Sequence, residues 1–263
     1  MIRPKKSLGQ NFLIDNNIIN KIIQLSDVSN NNVVEIGPGT GNLTNQIIAK
    51  KPKKLILIEK DYKLTDSLKI KFGFYKELEI FNEDILKFKL EEKIYKNSII
   101  IGNLPYNISS QILVKLINFK TWLPKYKKLI LMFQKEVADK ILSTCGSSSF
   151  GRLTVLTNAR LKVIDSFQVS KNCFYPVPKV ESTVLVFEPI INEDFKVDNI
   201  KNLETITQVF FSKKRKMINK AFKTLFKNPV SISEKINLDL NLRPNKISEK
   251  QYYEITKCFE KEL

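Results

Sequence analysis

The 263-residue sequence contains no histidine, and this absence restricts the chemistry that the protein can perform. Catalysis by Ser–His or Cys–His pairs, a histidine general base and a histidine metal site are all excluded. The three cysteines, Cys145, Cys173 and Cys258, are widely spaced, so they provide neither metal-ligand spacing nor an even set for disulfides. We therefore expect a reaction that needs no histidine.

The sequence also lacks long apolar runs. No segment approaches the about 18 consecutive apolar residues that indicate a membrane span. Residues 1–6 contain no hydrophobic stretch of the kind found in signal peptides. We accordingly expect a cytoplasmic protein with no membrane partner. Its hydrophobic content of 43% is sufficient for a packed core, and its length predicts one core domain with a small appendage.

Acidic residues are scarce beside basic ones. The chain has 27 acidic and 44 basic residues, a formal net charge of +17. This balance favours a polyanionic partner, because basic side chains release the counterions of a nucleic acid. A general bias of the composition toward Lys, Asn and Ile would produce the same excess. The charge supports a nucleic-acid partner without proving one.

Short apolar segments alternate with amphipathic ones over most of the chain. Strands are predicted at residues 33–36, 55–58, 78–81, 98–101 and 129–133, with two closing strands at 160–169 and 182–187. The alternation with helices predicts a parallel, doubly wound α/β sheet. Beyond residue 190 only helices are predicted, at about 200–210, 213–227 and 248–259. The expected domains are therefore 1–190, with a basic N-terminal arm, and 191–263, which is all helical.

The segment from Asn103 to Tyr106 follows the fourth strand at its carboxyl end, where open α/β sheets bind their ligands. Pro105 biases Leu104 toward an extended backbone, so the Leu104 carbonyl can be held beside the Asn103 side chain. Two fixed acceptors suit a group with two N–H donors, such as an exocyclic amine, and a base can stack on the Tyr106 ring. An ordinary Asn-Pro turn would explain these four residues equally well.

A glycine-rich loop follows the first strand, with glycines at 37, 39 and 41. Glycines allow the backbone to turn sharply and to approach a ligand closely. A dinucleotide fingerprint would require glycine where Asn42 stands, and a P-loop would require Gly-Lys-Ser/Thr. Glu59 ends the second strand, in the position of an acid that binds ribose hydroxyls.

The loop 174–182 is stiffened by Pro176 and Pro178, which exclude a helix. Phe174 at its start could close the opposite face of a base that lies on Tyr106. From this loop alone, an aromatic residue packed beneath a proline-rich loop is the simpler interpretation.

Together these motifs resemble the ribosomal RNA adenine dimethyltransferase family of the small subunit, the kasugamycin-sensitivity methyltransferases. The resemblance covers nearly the whole chain and departs from the family pattern at Val177, where many members have a smaller residue or proline. The matching segments appear in the family's order: 7–13, 35–41, 103–110, 151–153, 174–182, 215–216 and 242–244.

The resemblance implies a Rossmann-like class I methyltransferase fold, with residues 1–190 binding S-adenosylmethionine and residues 191–263 forming the helical domain. It implies transfer of two methyl groups to N6 of each of two adjacent adenines in the 3′-terminal hairpin loop of small-subunit rRNA. No metal, no DNA and a monomer are expected. The implied cofactor residues are Asn11, Leu13, Gly37, Gly39, Glu59, Asp84 and Asn103. The implied catalytic residues are Asn103, Leu104, Tyr106 and Phe174.

Other functions are compatible with parts of the sequence. A large-subunit rRNA adenine methyltransferase of the macrolide-resistance type would share the core, although the helical tail and the loop 174–182 argue against it. A non-catalytic ribosome-assembly factor would bind precursor rRNA, but the intact cofactor positions argue against loss of activity.

The N-terminal arm and the helix predicted at 213–227 are candidates for phosphate contacts. An ordinary solvated face explains that helix as well.

Overall fold

The computed structural model describes residues 4–5, 8–191, 197 and 199–262. Ser7 of the first motif and Arg3 and Lys6 of the predicted basic arm lie outside the described residues. So does most of the segment 192–198, which follows the predicted domain boundary.

The described residues form nine strands and eleven α-helices. The strands are β1 (Phe12–Leu13), β2 (Asn32–Ile36), β3 (Lys54–Glu59), β4 (Leu78–Asn82), β5 (Ser98–Asn103), β6 (Tyr126–Gln134), β7 (Leu161–Val169), β8 (Phe174–Tyr175) and β9 (Ser182–Pro189). The helices are α1 (Asn16–Gln24), α2 (Asn42–Ala49), α3 (Tyr62–Phe72), α4 (Leu90–Lys93), α5 (Ser109–Ile117), α6 (Lys135–Ile141), α7 (Arg152–Asn158), α8 (Ile200–Phe211), α9 (Asn219–Leu225), α10 (Pro229–Lys235) and α11 (Glu249–Glu260).

Seven strands form one sheet in the order β4-β3-β2-β5-β6-β9-β7. The strands from β4 to β6 are parallel, and β9 is antiparallel to β6, so the sheet is mixed rather than purely parallel. Alternation of strands with helices predicted this α/β architecture, which is confirmed. The register brings the last residues of β2, β3 and β5 to one edge, because Ile36 pairs with both Ile58 and Gly102.

The central strands are apolar on both faces, as expected for parallel strands covered by helices on each side. Leu55 and Leu57 of β3 and Ile99 and Ile100 of β5 are completely buried. The apolar face predicted for α5 is also fully buried, at Ile112, Leu113, Leu116 and Ile117. This packing makes the sheet a rigid base for the loops that follow its strands.

Two compact units share the chain. The first contains the described residues of Met1–Lys115, Phe119–Ala138 and Val163–Pro189, and the second those of Leu116–Asn118, Asp139–Lys162 and Ile190–Leu263. The helical unit is therefore larger than the predicted segment 191–263. It includes α7, which packs against α8 and α11. Its aromatic core joins Phe210 to Tyr252 and Phe222, with ring centroids 5.8 and 6.4 Å apart.

The helix predicted at 213–227 is shorter than expected. Residues 212–218 form turns, and α9 begins only at Asn219. The backbone N–H groups of Ile218 and Asn219 donate to the Leu242 and Leu240 carbonyls instead of to a preceding helical turn. A continuous helix would also place the like charges of Lys213 and Lys216, three residues apart, on one face, which is unfavourable. Helices α4, α7 and α10 were not predicted from the sequence. The last of them begins with a proline at its first position.

None of the helices in the described part of the chain combines the length and the apolar composition that crossing a membrane requires.

Candidate active site

A cavity lies at the carboxyl ends of β2, β3 and β5, beside the point where the strand order reverses between β2 and β5. Ligands of open α/β sheets bind at such a point. All the residues predicted to bind the cofactor line this cavity, and so do Leu104 and Tyr106. The structure therefore brings together residues that lie up to about 95 positions apart in the sequence, as expected for loops that follow parallel strands.

The glycine loop forms one wall of the cavity and needs glycine for two reasons. Gly37 and Gly39 have φ values of +69° and +57°, in the left-handed region that other residues rarely adopt. A Cβ atom on Gly39 would lie only 2.8 Å from the Phe12 ring. A Cβ on Gly37 would lie 3.7 Å from the Asn103 carbonyl oxygen, so it would narrow the space between this loop and Asn103.

Glu59 presents a buried carboxylate to the cavity, 7% exposed. Its two oxygens accept hydrogen bonds from the backbone N–H groups of Gly39, at 3.1 Å, and Asp61, at 2.9 Å. Burial raises the pKa of Glu59, while these hydrogen bonds act in the opposite direction. A carboxylate has about four acceptor positions. The group is therefore held in a fixed orientation and still has capacity to accept hydroxyl donors such as those of a ribose.

Asp84 follows β4 in the sequence and lines the cavity. One carboxylate oxygen forms an ion pair with the Lys60 ammonium at 2.8 Å, and the other accepts from the Leu86 backbone N–H at 2.9 Å. The hydrogen bond from Lys60 lowers the pKa of Asp84. Asp84 is thus a fixed, ionised acceptor at neutral pH.

Glu35 is a further buried acid in the cavity wall, and the sequence analysis gave it no separate role. It is only 2% exposed, and its carboxyl group accepts a hydrogen bond from the Thr44 hydroxyl at 2.6 Å. Burial raises the pKa of Glu35 to about 8, and the neighbouring charge of Glu59 adds to this effect. Glu35 is therefore mostly protonated at neutral pH. The sequence signal that could have identified Glu35 as a site residue is its position just before the three glycines of the loop.

Asn103 ends β5, and its side-chain amide has a defined orientation. The Nδ2 group donates to the backbone carbonyl of Asn11 at 2.9 Å. Because a carbonyl oxygen can only accept a hydrogen bond, the –NH₂ group must face Asn11 and the Oδ1 atom must lie on the opposite side of the amide. The following turn is closed by a hydrogen bond from the Ile108 N–H to the Pro105 carbonyl. Asn103 therefore provides a pre-oriented acceptor.

Residues 8–13, which we call the cover segment, line the cavity together with residues that follow β2, β3 and β5. The Asn42 side-chain amide donates to the Leu13 carbonyl at 2.8 Å, and Gln10 donates to an Asp61 carboxylate oxygen at 3.2 Å. Lys5 forms an ion pair with the same oxygen at 2.8 Å. Burial alone would raise the pKa of Asp61, but hydrogen bonds from Lys5 and Gln10 lower it. Asn42, Gln10 and Asp61 had no predicted role, because their partners are distant in sequence.

Tyr106 is half-buried in the cavity wall, and its hydroxyl group shares a hydrogen bond of 2.6 Å with the Ser182 hydroxyl. Phe174 does not face Tyr106 across the cavity. It is 1% exposed and packs in the hydrophobic core with Leu13, Met132 and Val184. It also pairs with Leu13 where β8 meets β1. The burial of Phe174 agrees with the simpler interpretation of the sequence, an aromatic residue packed beneath a proline-rich loop. A contact between Phe174 and a target base stays a prediction, and it requires the ring to become accessible.

Across the part of the chain that the structure describes, no group of three or more His, Cys, Asp and Glu side chains is arranged to hold a metal ion.

Comparison with known proteins gives a consistent result. The family model for ribosomal RNA adenine dimethylase matches residues 1–261. A Pelagibacter ubique protein named ribosomal RNA small subunit methyltransferase A is 45% identical over 264 residues, covering 98% of each chain. The solved structure of a dimethyladenosine transferase from Plasmodium falciparum is 27% identical with a TM-score of 0.80, covering 95% of this chain and 98% of that one. The 23S rRNA methyltransferase ErmE shares the fold, with a TM-score of 0.67 and 21% identity over 95% of this chain and all of that one.

Replacement of Asn42 by alanine should weaken binding of S-adenosylmethionine, the cofactor that the sequence motifs predict. The change removes the donor to the Leu13 carbonyl, and one hydrogen bond contributes about 1 kcal/mol, or about a fivefold rise in the dissociation constant. Titration calorimetry with S-adenosylhomocysteine measures this change. Asn45→Ala, an exposed position on the same helix, is the control. Equal affinities for the two variants would contradict the role of Asn42.

Replacement of Glu35 by glutamine should change how stability depends on pH. The pKa of Glu35 rises from its ordinary value of 4.5 to about 8 in the folded protein. Between these values the unfolded chain releases this proton and the folded chain keeps it. The contribution to the free energy of unfolding therefore falls by about 1.4 kcal/mol per pH unit as pH rises. Glutamine is neutral throughout and still accepts from Thr44.

Urea unfolding at pH 5, 6, 7 and 8 measures this effect. We expect the stability of Glu35→Gln relative to the unsubstituted protein to increase over this range. Two parallel stability profiles would show that Glu35 is ionised in the folded state.

Proposed function

Because this chain belongs to the ribosomal RNA adenine dimethylase family, we propose that it dimethylates adenine N6 in small-subunit rRNA with Asn103 as the principal catalytic residue. The family resemblance predicted from the motifs is confirmed, and so are an rRNA adenine dimethyltransferase activity and S-adenosylmethionine as the methyl donor. The observation that carries the assignment of Asn103 is its amide orientation, fixed by the Asn11 carbonyl.

The chemical difficulty lies in the nucleophile. The lone pair of adenine N6 is delocalised into the ring, so the amine attacks poorly. We propose that Asn103 Oδ1 and the Leu104 carbonyl accept the two N6 hydrogen atoms. These hydrogen bonds favour a pyramidal nitrogen, on which the lone pair is available for attack. Pre-oriented acceptors of this kind act by positioning and by electrostatic stabilisation, which are large contributions to catalysis.

No histidine is needed for the proton transfer. Once methylated, the N6 nitrogen carries a positive charge and is strongly acidic, so it can release a proton to water. A dedicated general base is therefore unnecessary, which is consistent with a chain that contains no histidine. Reaching N6 requires the adenine to leave its stack, and we propose that the extruded base lies on the Tyr106 ring in the cavity wall.

The residues of the cavity fit the proposed cofactor. Bound S-adenosylmethionine supplies an electrophilic methyl group. Glu59 is held in the orientation that ribose hydroxyls require, and Asp84 is an ionised acceptor suited to an adenine amino group. The backbone of Gly37 and Gly39 leaves the space that side chains would fill. Asn11 and Leu13 of the cover segment would close the cavity over the ligand.

The small-subunit assignment rests on the relative from Pelagibacter ubique, whose name specifies that subunit. By the family's pattern, the target is the pair of adjacent adenines in the 3′-terminal hairpin loop, and the binding partner is a 30S precursor. The likeness to a 23S rRNA methyltransferase at 21% identity concerns the fold alone. We also propose that the protein is cytoplasmic and acts as a monomer. The monomer is supported by the predicted cofactor residues, which line one cavity within a single chain.

Replacement of Asn103 by alanine should abolish methyl transfer while RNA binding is largely retained. The loss of a pre-oriented hydrogen-bonding group lowers the rate of a reaction by about 100-fold or more. Single-turnover methylation of unmethylated 30S particles measures the rate, and filter binding measures the affinity for the particles. Asn45→Ala again serves as the control, and an unchanged rate for Asn103→Ala would refute the assigned role.

Transfer of tritiated methyl groups to 30S and to 50S particles, both from an unmethylated source, tests the substrate. We expect dimethyladenosine in the 3′ hairpin of the small-subunit rRNA. Label in the large subunit would move the enzyme to the resistance type. Binding without label in either particle would leave an assembly factor with a methyltransferase fold.

A further inference from the structure

The loop 175–181, which we call the proline loop, is fixed at both ends to residues of the cavity wall. At its start, Tyr175 pairs with Phe12 and the preceding Phe174 pairs with Leu13, so β8 is bound to the cover segment. At its end, the Ser182 hydroxyl is hydrogen-bonded to the Tyr106 hydroxyl. Phe12, Leu13 and Tyr106 all line the cavity. The proline loop therefore crosses the rim of the active site.

The side chains of this loop are more apolar than a solvated rim requires. Tyr175 is 56% exposed, Val177 57% and Val180 43%. Alternation along β8 explains the orientation of Tyr175, because the Phe174 side chain enters the core and its neighbour must point the opposite way. The aromatic ring is therefore exposed to solvent on an anchored backbone, next to the cavity proposed to hold the target base.

The charges around the loop favour an anionic partner. Lys171 and Lys179 are both exposed, at the two sides of Tyr175 in the sequence. The Glu181 carboxylate is directed back to the loop base, where it accepts a hydrogen bond from the Lys171 backbone N–H at 2.8 Å. An exposed aromatic ring flanked by lysines is the combination on which single-stranded nucleic acids stack their bases.

Extrusion of one adenine leaves its neighbour in the RNA chain without a stacking partner. We propose that Tyr175 stacks on the base next to the adenine in the active site, with Val177 as an apolar flank and Lys171 and Lys179 near the RNA phosphates. This inference rests on the proposed function, since it assumes an RNA substrate with one base in the cavity. Tyr175 is thereby a substrate-positioning residue rather than a catalytic one.

Steady-state methylation of unmethylated 30S particles by Tyr175→Ala, Tyr175→Phe and Val177→Asp tests the proposal. Loss of a base–aromatic stack should raise KM for the particles about five- to hundredfold, with kcat and the affinity for S-adenosylhomocysteine unchanged. Tyr175→Phe keeps the ring and should behave like the unsubstituted enzyme. Val177→Asp should also raise KM. Phe74→Ala, which removes an aromatic ring 74% exposed elsewhere on the surface, is the control.

The position of the contact is tested by replacing Tyr175 with p-benzoylphenylalanine and mapping its photocrosslinks on 30S particles. Crosslinks to nucleotides that flank the target adenine support the proposal. Crosslinks elsewhere, or a KM for Tyr175→Ala equal to that for Phe74→Ala, overturn it.

Failure of the proposed function is recognised separately. If the unsubstituted enzyme labels only 50S particles, the small-subunit assignment is wrong. The KM of Tyr175→Ala for 50S particles, compared with that of Phe74→Ala, then decides the role of Tyr175. If no particle is labelled, filter binding of the same variants to 30S particles decides it.

Discussion

The hydrogen bond from the Asn103 side chain to the Asn11 carbonyl connects two segments 92 residues apart, and the geometry of the active site depends on it. β5 brings Asn103 to the edge of the sheet, and the cover segment brings the carbonyl. The cover segment is in turn held by Asn42, by Asp61 and by its pairing with β8. The Asn42 and Asp61 contacts fix the cover segment to residues that follow β2 and β3, so the register of the sheet contributes to the orientation of a single amide.

Much of the fold and of the cofactor site was predictable from local sequence. The strands are short apolar runs, and the α/β alternation fixes where their carboxyl ends meet. Glu59, Asp84 and Asn103 were therefore predictable as neighbours, although nothing in the sequence measures their separation. The glycine loop was predictable because its conformation is open to few other residues. The structure adds that both oxygens of Glu59 and of Asp84 already accept hydrogen bonds.

The parts that could not be predicted depend on contacts between distant segments. β1 and β8 contain two residues each, too few to show a periodic pattern, and they are stabilised by one another. The apolar period that predicted a helix begins at Met217 and Ile218, but residues 212–218 are not helical, and the carbonyls of Leu242 and Leu240 accept from the N–H groups of Ile218 and Asn219. The helical unit takes in residues 139–162 because α7 packs against α8, which the order of the chain does not reveal.

The cover segment lines the cavity and accepts the hydrogen bond that orients the Asn103 amide, and this combination has a kinetic consequence for the proposed mechanism. Dimethylation of one adenine consumes two methyl donors, so the spent ligand must be exchanged between two transfers to the same nitrogen. A movement that carries Asn11 away from the cavity mouth also breaks the hydrogen bond to the Asn103 amide. Ligand exchange by that route therefore also disturbs the orientation of the Asn103 amide. In the proposed mechanism, the hydrogen bond between the Asn103 amide and the Asn11 carbonyl therefore forms again before each methyl transfer.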